Sequence, residues 1–193
     1  MIYTIGHSNH PIERFVALLE QHAITALADV RSRPYSRFNP QFNRKALAEA
    51  LGARGIEYVF LGEELGARTE DRSCYENGRV SYAKLAATDL FQRGIERLQA
   101  GMATHRVAIT CAEKEPLDCH RTILVARELQ RRGAPVMHIL ATGELESQES
   151  AVARLREKLK LSAEDLFRGK DANDEAYEIQ GRRMAYLGPT GAR

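Results

Sequence analysis

The chain has 193 residues, with 28 basic and 26 acidic side chains and a formal net charge of +2. This charge is too small to indicate nucleic-acid binding by itself. A hydrophobic fraction of 44% with 28% charged residues is typical of a globular protein. Every apolar run is much shorter than the roughly 20 residues that a membrane span requires, so we expect no membrane partner.

Cysteine content predicts the redox environment. The three cysteines, Cys74, Cys111 and Cys119, cannot form a fully paired disulfide framework. The chain opens directly into a predicted strand, so we expect no signal peptide. Free thiols in a reducing cytoplasm are therefore the expectation.

Five apolar runs alternate with helical patterns along the chain. We predict strands over residues 2–5, 24–30, 56–61, 106–110 and 136–140, and helices over 11–22, 40–51, 81–100 and 117–132. This alternation predicts a three-layer α/β fold, in which a mostly parallel, Rossmann-like sheet of about five strands has helices on both faces. Right-handed crossovers then place every strand-to-helix loop on one edge of the sheet.

The composition changes near residue 148, where charged helical patterns replace the strands. We predict an α/β domain over residues 1–145, a C-terminal helical extension packed on it over 146–188, and a disordered tail over 189–193. Within the first domain, the polar stretch 67–80 contains Cys74 and predicts a mobile flap or an irregular insert.

One connection carries most of the reactive side chains. Residues 111–121, with the sequence CAEKEPLDCHR, join the fourth predicted strand to the helix that follows it. In an open α/β sheet, such connections line the crevice at the carboxyl ends of the strands, where ligands bind. We therefore predict catalytic groups at Cys111, Glu113, Cys119 and His120. Anion-binding groups are predicted at the same crevice from Gly6, His7, Ser8, Asn9, Arg31, Arg33 and Arg121, with Glu63 and Thr142 at its rim.

Four motifs together resemble a known family. They are TIGHSN at residues 4–9, DVRSRP at 29–34, LG at 65–66, and CAE at 111–113 followed by CHR at 119–121. Their order over residues 1–140 is similar to that of the bacterial and archaeal family named domain of unknown function 488. The resemblance implies a shared fold and a shared polar cluster, but no agreed reaction.

The arginines favour an anionic ligand. The guanidinium groups of Arg31, Arg33 and Arg121 match phosphate and carboxylate oxygens in paired hydrogen bonds. Arg121 also lies in the predicted first turn of a helix, where free N–H groups favour anions. The alternative is that these arginines form internal ion pairs with the acidic residues Asp29, Glu63, Glu113 and Asp118.

Cys119 has two open interpretations. A helix N-terminus with His120 and Arg121 nearby lowers the pKa of a thiol, which favours a nucleophilic thiolate. Alternatively, Cys119 is packed on the inward face of its helix as a small apolar residue. His120 is a candidate general acid or base, because the pKa of an imidazole lies near neutrality.

The turn after the first strand can also be interpreted as a local structural feature without a role in the site. His7 either takes part in the site or makes local hydrogen bonds near a helix start, and both remain open. Ser8 is expected to cap the first helix.

Metal binding is a further interpretation of the same connection. Suitable donor atoms are carried by Cys111, Glu113, Cys119, His120, His7 and His10, but the sequence contains neither a Cys-x-x-Cys nor a His-x-x-x-His pair. Adjacent residues of a helix diverge by about 100°, so Cys119 and His120 are not expected to share one ion. We therefore predict no metal and no cofactor.

Two functions follow from these groups. The first is a hydrolase or transferase acting on a phosphate-containing small molecule or nucleotide. The arginines and the loop amides of residues 6–9 would bind the anion, Glu113 or His120 would move a proton, and a cysteine would attack. The second is a non-catalytic nucleic-acid-binding or regulatory module, because arginines and aromatic residues alternate over residues 31–44 and Arg182 and Arg183 add positive charge. The sequence leaves the oligomeric state open.

Overall fold

The central element is a six-stranded, mostly parallel sheet. The computed structural model describes residues 1–161 and 171–188. The strands of the sheet, in spatial order, are β3 (Glu57–Phe60), β2 (Ala26–Asp29), β6 (Val107–Cys111), β1 (Ile2–Gly6), β7 (Val136–Ile139) and β8 (Leu145–Ser147), while β4 (Tyr75–Glu76) and β5 (Arg79–Val80) form a separate hairpin. β8 runs antiparallel to β7. The predicted mostly parallel α/β sheet is therefore confirmed, with one more strand than the five expected.

Helices cover both faces of this sheet. They are α1 (Ile12–Gln21), α2 (Arg44–Gly52), α3 (Gly62–Leu65), α4 (Tyr82–Ala86), α5 (Asp89–Gly101), α6 (Arg127–Arg131), α7 (Gln148–Leu159) and α8 (Ala172–Met184). Alternate residues of a strand enter opposite cores, as extended backbone requires. Tyr3 and Ile5 of β1 pack with α1 and α2, whereas Ile2 packs with residues of α5 and α6. Among the described residues, none of these helices has the length and apolarity to cross a bilayer.

The polar stretch predicted as a flap contains regular backbone. β4 and β5 are joined by Asn77 and Gly78, whose φ angles of 50° and 77° belong to a tight two-residue hairpin turn. Cys74, just before the hairpin, is fully buried, and Val80 joins the core. Part of the expected insert is thus a short hairpin anchored at its base.

The helix predicted over residues 81–100 is two helices, α4 and α5. Thr88 lies between them, and its hydroxyl accepts a hydrogen bond from Phe91 N at 3.2 Å. This side-chain cap starts α5 at Asp89, so the single predicted helix is interrupted by an N-cap.

The helix predicted over residues 117–132 is divided into unlike segments. Pro116–Asp118 form a 3₁₀ turn, and Cys119 follows in an extended conformation with φ −136° and ψ 139°. Arg121–Ala126 are π-helical, and α6 completes the segment. Cys119 is therefore not helical, and the prediction that the side chains of Cys119 and His120 point in directions about 100° apart is wrong. Short π-helical stretches are frequent at functional sites.

α7 and α8 pack together against this connection. Leu117 lies in one apolar cluster with Val152 of α7 and Tyr177 of α8. Gln180 Nε2 donates to the Leu117 carbonyl oxygen over 2.9 Å, so α8 holds the turn that precedes Cys119. The predicted boundary at residue 145 stays a prediction, and the predicted tail over 189–193 lies outside the described residues.

Candidate functional site

The carboxyl ends of the two central strands meet at one edge of the sheet. Gly6 lies opposite Cys111 in the register of β1 and β6. The pairing continues beyond the strands, because His7 N donates to the Cys111 carbonyl and Ser8 N to the Ala112 carbonyl, each over 2.9 Å. The loop after β1 therefore lies directly beside the connection of residues 111–121.

Four side chains of this connection form a compact group, which we call the thiol cluster: Cys111, Glu113, Cys119 and His120. The two Sγ atoms and a ring nitrogen of His120 all lie within 4.8 Å of one another. Cys119 Sγ donates to Glu113 Oε2 over 2.9 Å, and Cys111 Sγ is 3.6 Å from His120 Nδ1. Both sulfur atoms are buried, whereas Glu113 as a residue is exposed. The four predicted catalytic residues are thus brought together.

The imidazole of His120 is oriented by the backbone of the neighbouring strand. Its Nε2 lies 3.1 Å from the carbonyl oxygen of Val30, which follows β2. A carbonyl oxygen only accepts hydrogen bonds, so Nε2 carries the proton. In the neutral ring, Nδ1 is then an acceptor that faces Cys111.

Arg121 is a fully buried guanidinium beneath the cluster. Its Nη1 donates to the Glu113 carbonyl over 2.7 Å and its Nη2 to the Lys114 carbonyl over 3.3 Å, while Nε is buried without a partner. Among the described residues, no carboxylate lies within ion-pair distance of this side chain. Arg121 therefore fixes the backbone that carries Glu113 and leaves its positive charge inside the site.

The thiol cluster has perturbed acidities. Burial alone would raise the pKa of the Cys119 thiol, but the hydrogen bond from Cys111 and the charge of Arg121 hold it below its usual value. The hydrogen bond with Cys119, together with burial, raises the pKa of Cys111. Burial of its carboxyl end against Cys119 also raises the pKa of Glu113, although the rest of that residue is exposed. Cys119 is thus the sulfur on which negative charge is stabilised.

Arg31 belongs to a separate buried network. Its Nε and Nη2 donate to the two carboxylate oxygens of Asp29 over 2.8 Å and 2.6 Å, and Nη2 also donates to the Phe42 carbonyl. Tyr58 donates to the same carboxylate over 2.8 Å. Of the two interpretations of Arg31, the internal ion pair with Asp29 is the one found.

His7 completes this network as a neutral residue. Its Nδ1 donates to the Ser8 carbonyl over 2.8 Å, and its Nε2 accepts from Arg31 Nη1 over 3.1 Å. Burial and the charge of Arg31 lower the pKa of His7 to about 4. The ring also stacks on Phe42, with 4.3 Å between centroids. His7 therefore connects Arg31 to the end of β1 and makes the local hydrogen bond of its second interpretation.

The remaining predicted residues lie in the loops after β1 and β2. Arg33 and Asn9 are exposed. Ser8 is half-buried with a φ of 49°, and it donates to Asn9 Oδ1 over 3.3 Å. The expectation that Ser8 caps the first helix is wrong, because α1 begins after Pro11 without a side-chain cap.

Cationic side chains lie near His10. Partial burial, followed by the charges of Arg14 and Lys114, lowers the pKa of His10. Arg14 itself donates to the carbonyl oxygens of Ala141 and Thr142 over 3.1 Å and 3.2 Å. Arg33 is exposed and makes no side-chain hydrogen bond to any described residue.

Two residues predicted at the rim lie apart from the cluster. Glu63 is exposed on α3, and Thr142 bonds to Glu144 beyond the end of β7. Tyr82, by contrast, is a neighbour that the sequence did not predict. Burial, and then the charges of Cys119 and Cys111, raise the pKa of its phenol. No local motif marks Tyr82, because α4 brings it to the cluster from a distant part of the chain.

A cavity of about 1110 Å³ lies on the α4 and α8 side of the molecule. Its lining includes five arginines and three glutamates, together with Tyr82 and Tyr177; the arginines are Arg79, Arg127, Arg131, Arg182 and Arg183. The thiol cluster does not line this cavity. Tyr82 borders it and lies near enough to Cys119 and Cys111 for their charges to raise the pKa of its phenol.

The fold and the site together define a mixed α/β protein with a thiol-rich centre at the carboxyl edge of its sheet. Comparison with known families identifies the group: the family model described as Domain of unknown function DUF488 matches residues 11–127, more than half of the chain. The chain belongs to this family. The match includes Arg31 and the whole thiol cluster. No curated protein and no solved structure matches the chain.

Proposed function

We propose that the protein is an enzyme acting on a phosphate-containing small molecule or nucleotide, with the thiol cluster as its reactive centre. The observation that carries this proposal is the convergence of two thiols, an imidazole and a carboxyl group above the buried charge of Arg121. A purely structural role rarely places so many titratable groups in one small volume.

Glu113 is the group best placed to exchange protons with a substrate. Its Oε2 lies 2.9 Å from Cys119 Sγ, within the reach required for proton transfer. Its carboxyl end is buried against Cys119 while the rest of the residue is exposed, so in this proposal the carboxyl group passes a proton between the sulfur and a substrate that enters from solvent. In this proposal, Glu113 moves the proton while Cys111, Cys119 and His120 form the centre that it serves.

The cationic side chains of Arg33, Lys114 and Arg14 support an anionic substrate. Arg33 is an exposed guanidinium of the kind that binds phosphate oxygens in pairs, and Lys114 and Arg14 add to the field at His10. Arg31 is engaged by Asp29, so in this proposal it holds the loop in place. Arg121 contributes its charge from below, whereas the predicted loop amides of His7 and Ser8 are already engaged by the carbonyls of Cys111 and Ala112.

The test is a binding and turnover screen with nucleotides and phosphorylated metabolites. We expect at least one compound to raise the melting temperature of the wild type, and Arg33→Ala to reduce this shift. Glu113→Gln should retain binding and lose turnover, because an amide cannot accept the proton. Arg93→Ala, an exposed arginine of α5, is the matched control and should behave like the wild type. A screen without a stabilising anion, or Arg33→Ala and Glu113→Gln proteins with unchanged binding and turnover, would contradict the proposal.

A second candidate function is binding of single-stranded nucleic acid through the loop after β2. Tyr35 and Phe38 are 75% and 78% exposed, which is unusual for aromatic residues of a folded domain. The Arg37 guanidinium lies 4.6 Å from the centroid of the Phe38 ring. Exposed rings beside arginines provide stacking surfaces for bases and charge for the phosphates.

Fluorescence anisotropy with labelled oligonucleotides tests this second function. We expect affinity to fall as salt increases, because phosphate contacts release counterions. Replacing Tyr35 and Phe38 by alanine should weaken binding by about tenfold or more, since each stacked base contributes about 1–3 kcal/mol. Leu90→Ala removes an exposed apolar side chain from α5 and should have no effect. If the affinity changes neither with salt concentration nor on replacement of Tyr35 and Phe38, this function is excluded.

A further inference from the structure

The thiol cluster has the donor set of a soft metal site. Cys111 Sγ, Cys119 Sγ and a ring nitrogen of His120 lie within 4.8 Å of one another, and all three residues are buried. Two sulfur atoms and one imidazole nitrogen in such a volume suit zinc and similar cations, which are commonly held by cysteine and histidine in a tetrahedral arrangement. We propose that Cys111, Cys119 and His120 bind a divalent cation of the zinc class.

The conformation of Cys119 makes this convergence possible. In a regular helix, neighbouring side chains point in directions about 100° apart. Cys119 is extended between a 3₁₀ turn and the π-helical segment, and its sulfur faces the same volume as the ring of His120. The irregular backbone therefore brings the sulfur of Cys119 and the ring of His120 to the same volume, which a regular helix would not do.

The orientation of His120 is that of a metal ligand. Its Nε2 is engaged by the Val30 carbonyl at 3.1 Å, which leaves the Nδ1 lone pair directed at the sulfur atoms, 3.6 Å from Cys111 Sγ. Metal-binding histidines usually donate their second N–H to a backbone carbonyl or carboxylate, which sets the tautomer and the ring plane. This contact is independent of the distances among the three donors and points to the same ligand.

A divalent cation suits the charge of the two sulfur ligands. Two thiolates neutralise such a cation, so the occupied centre would add no net charge to the buried site. Arg121 would keep its carbonyl partners beside it.

Glu113 stands at the solvent side of the three donors. Three protein ligands with one further position are the arrangement of catalytic zinc sites, where the ion activates water or polarises a substrate oxygen. Glu113 Oε2, in contact with Cys119 Sγ, is placed to complete the coordination or to orient a water molecule there. The catalytic use of the ion rests on the proposed function, whereas its binding does not.

Metal content is the first measurement. Protein produced in zinc-supplemented medium should contain about one zinc ion per chain by elemental analysis, as a single three-ligand site requires. Apo protein reconstituted with Co²⁺ should show the intense charge-transfer absorption of cobalt–thiolate bonds, which reports the sulfur ligands in the folded wild type. Cys119→Ser and His120→Gln should each lose most of the bound metal. Cys74→Ala removes the third buried cysteine, which lies outside the donor set, and should retain it.

The inference is overturned if wild-type protein takes up no stoichiometric zinc or cobalt, or if Cys119→Ser binds as much as the wild type. It also fails if the denatured protein shows one free thiol where three cysteines are present, since Cys111 and Cys119 would then be a disulfide. Turnover of an anionic substrate by wild-type protein that takes up no stoichiometric zinc or cobalt removes the metal and leaves the proposed function. If the protein holds stoichiometric metal but neither binds nor converts any anion of the screen, the proposed function is contradicted and the metal site is supported.

Discussion

Gly6 allows the loop after β1 to approach the connection that carries the thiol cluster. A Cβ atom at this position would lie 1.8 Å from the Glu113 carbonyl oxygen and 3.1 Å from Arg121 Nη2. The nearer atom belongs to the backbone and cannot rotate away, so Gly6→Ala forces the two loops apart. We expect this substitution to lower the free energy of unfolding by about 3 kcal/mol, measured by urea denaturation.

Gly52→Ala is the matched control for this substitution. Gly52 is the last residue of α2, and a Cβ atom there would meet nothing within 4 Å. Alanine is the better helix former, so stability should stay unchanged or rise by up to about 1 kcal/mol. If Gly6→Ala unfolded at the same urea concentration as the wild type, the close approach of the two loops would not matter for stability.

The site residues differ in how far the sequence predicts them. Cys111, Cys119 and His120 are predictable as a group, because one strand-to-helix connection carries all three. The role of Arg31 is not, since the direction of its side chain depends on Asp29 at the end of β2, on His7 after β1 and on Phe42 before α2. The convergence of Cys119 with His120 depends on an extended residue inside a predicted helix, which helical periodicity cannot reveal.

Among the elements, the five predicted strands have a common physical signature. Each is an apolar run whose residues meet a core on one or both faces. Burial requires this apolar composition, which makes the runs recognisable in the sequence. β8 lacks this signature, because its residues are half-buried or exposed and its pairing with β7 creates the strand. The hairpin of β4 and β5 has a local signal in Asn77-Gly78, which favours a tight turn.

In the connection after β6, hydrophobic periodicity does not reveal which type of helix forms. All six residues of the π-helical segment Arg121–Ala126 are buried, so no polar face distinguishes one helix type from another. The reason for this burial lies in α7 and α8, which cover the segment from the far end of the chain. A local pattern therefore predicts a helix here, and only the tertiary packing decides its form.

At the scale of the whole molecule, net charge and local charge differ. The formal net charge of +2 is small, yet five arginines line the cavity beside α8, and the charges of Arg14 and Lys114 reach His10. Acidic residues, three of them in the same cavity, compensate for this positive charge. The small total therefore excludes a uniformly basic surface, but not a local field that attracts an anion.

His138 links this electrostatic arrangement to the stability of the whole chain. It is fully buried on β7, where Thr4 Oγ1 lies 2.8 Å from its Nδ1. Burial and the charge of Arg121 lower the pKa of His138 to about 4, against a weaker opposing contribution from Gln148. In the unfolded chain, the same imidazole titrates near its ordinary pKa of about 6.5. Between these two values, the unfolded state binds a proton that the folded state does not.

The free energy of unfolding should therefore fall as the pH is lowered from about 7 to about 4, and His138 should contribute up to about 3 kcal/mol of that loss. His138→Asn, whose side-chain oxygen replaces Nδ1 as the acceptor for Thr4, should show a shallower decline, because an amide does not titrate. Urea denaturation at several pH values measures the two slopes. Parallel curves for the wild type and His138→Asn would mean that the imidazole is protonated equally in both states, and the buried environment assigned to it would be wrong.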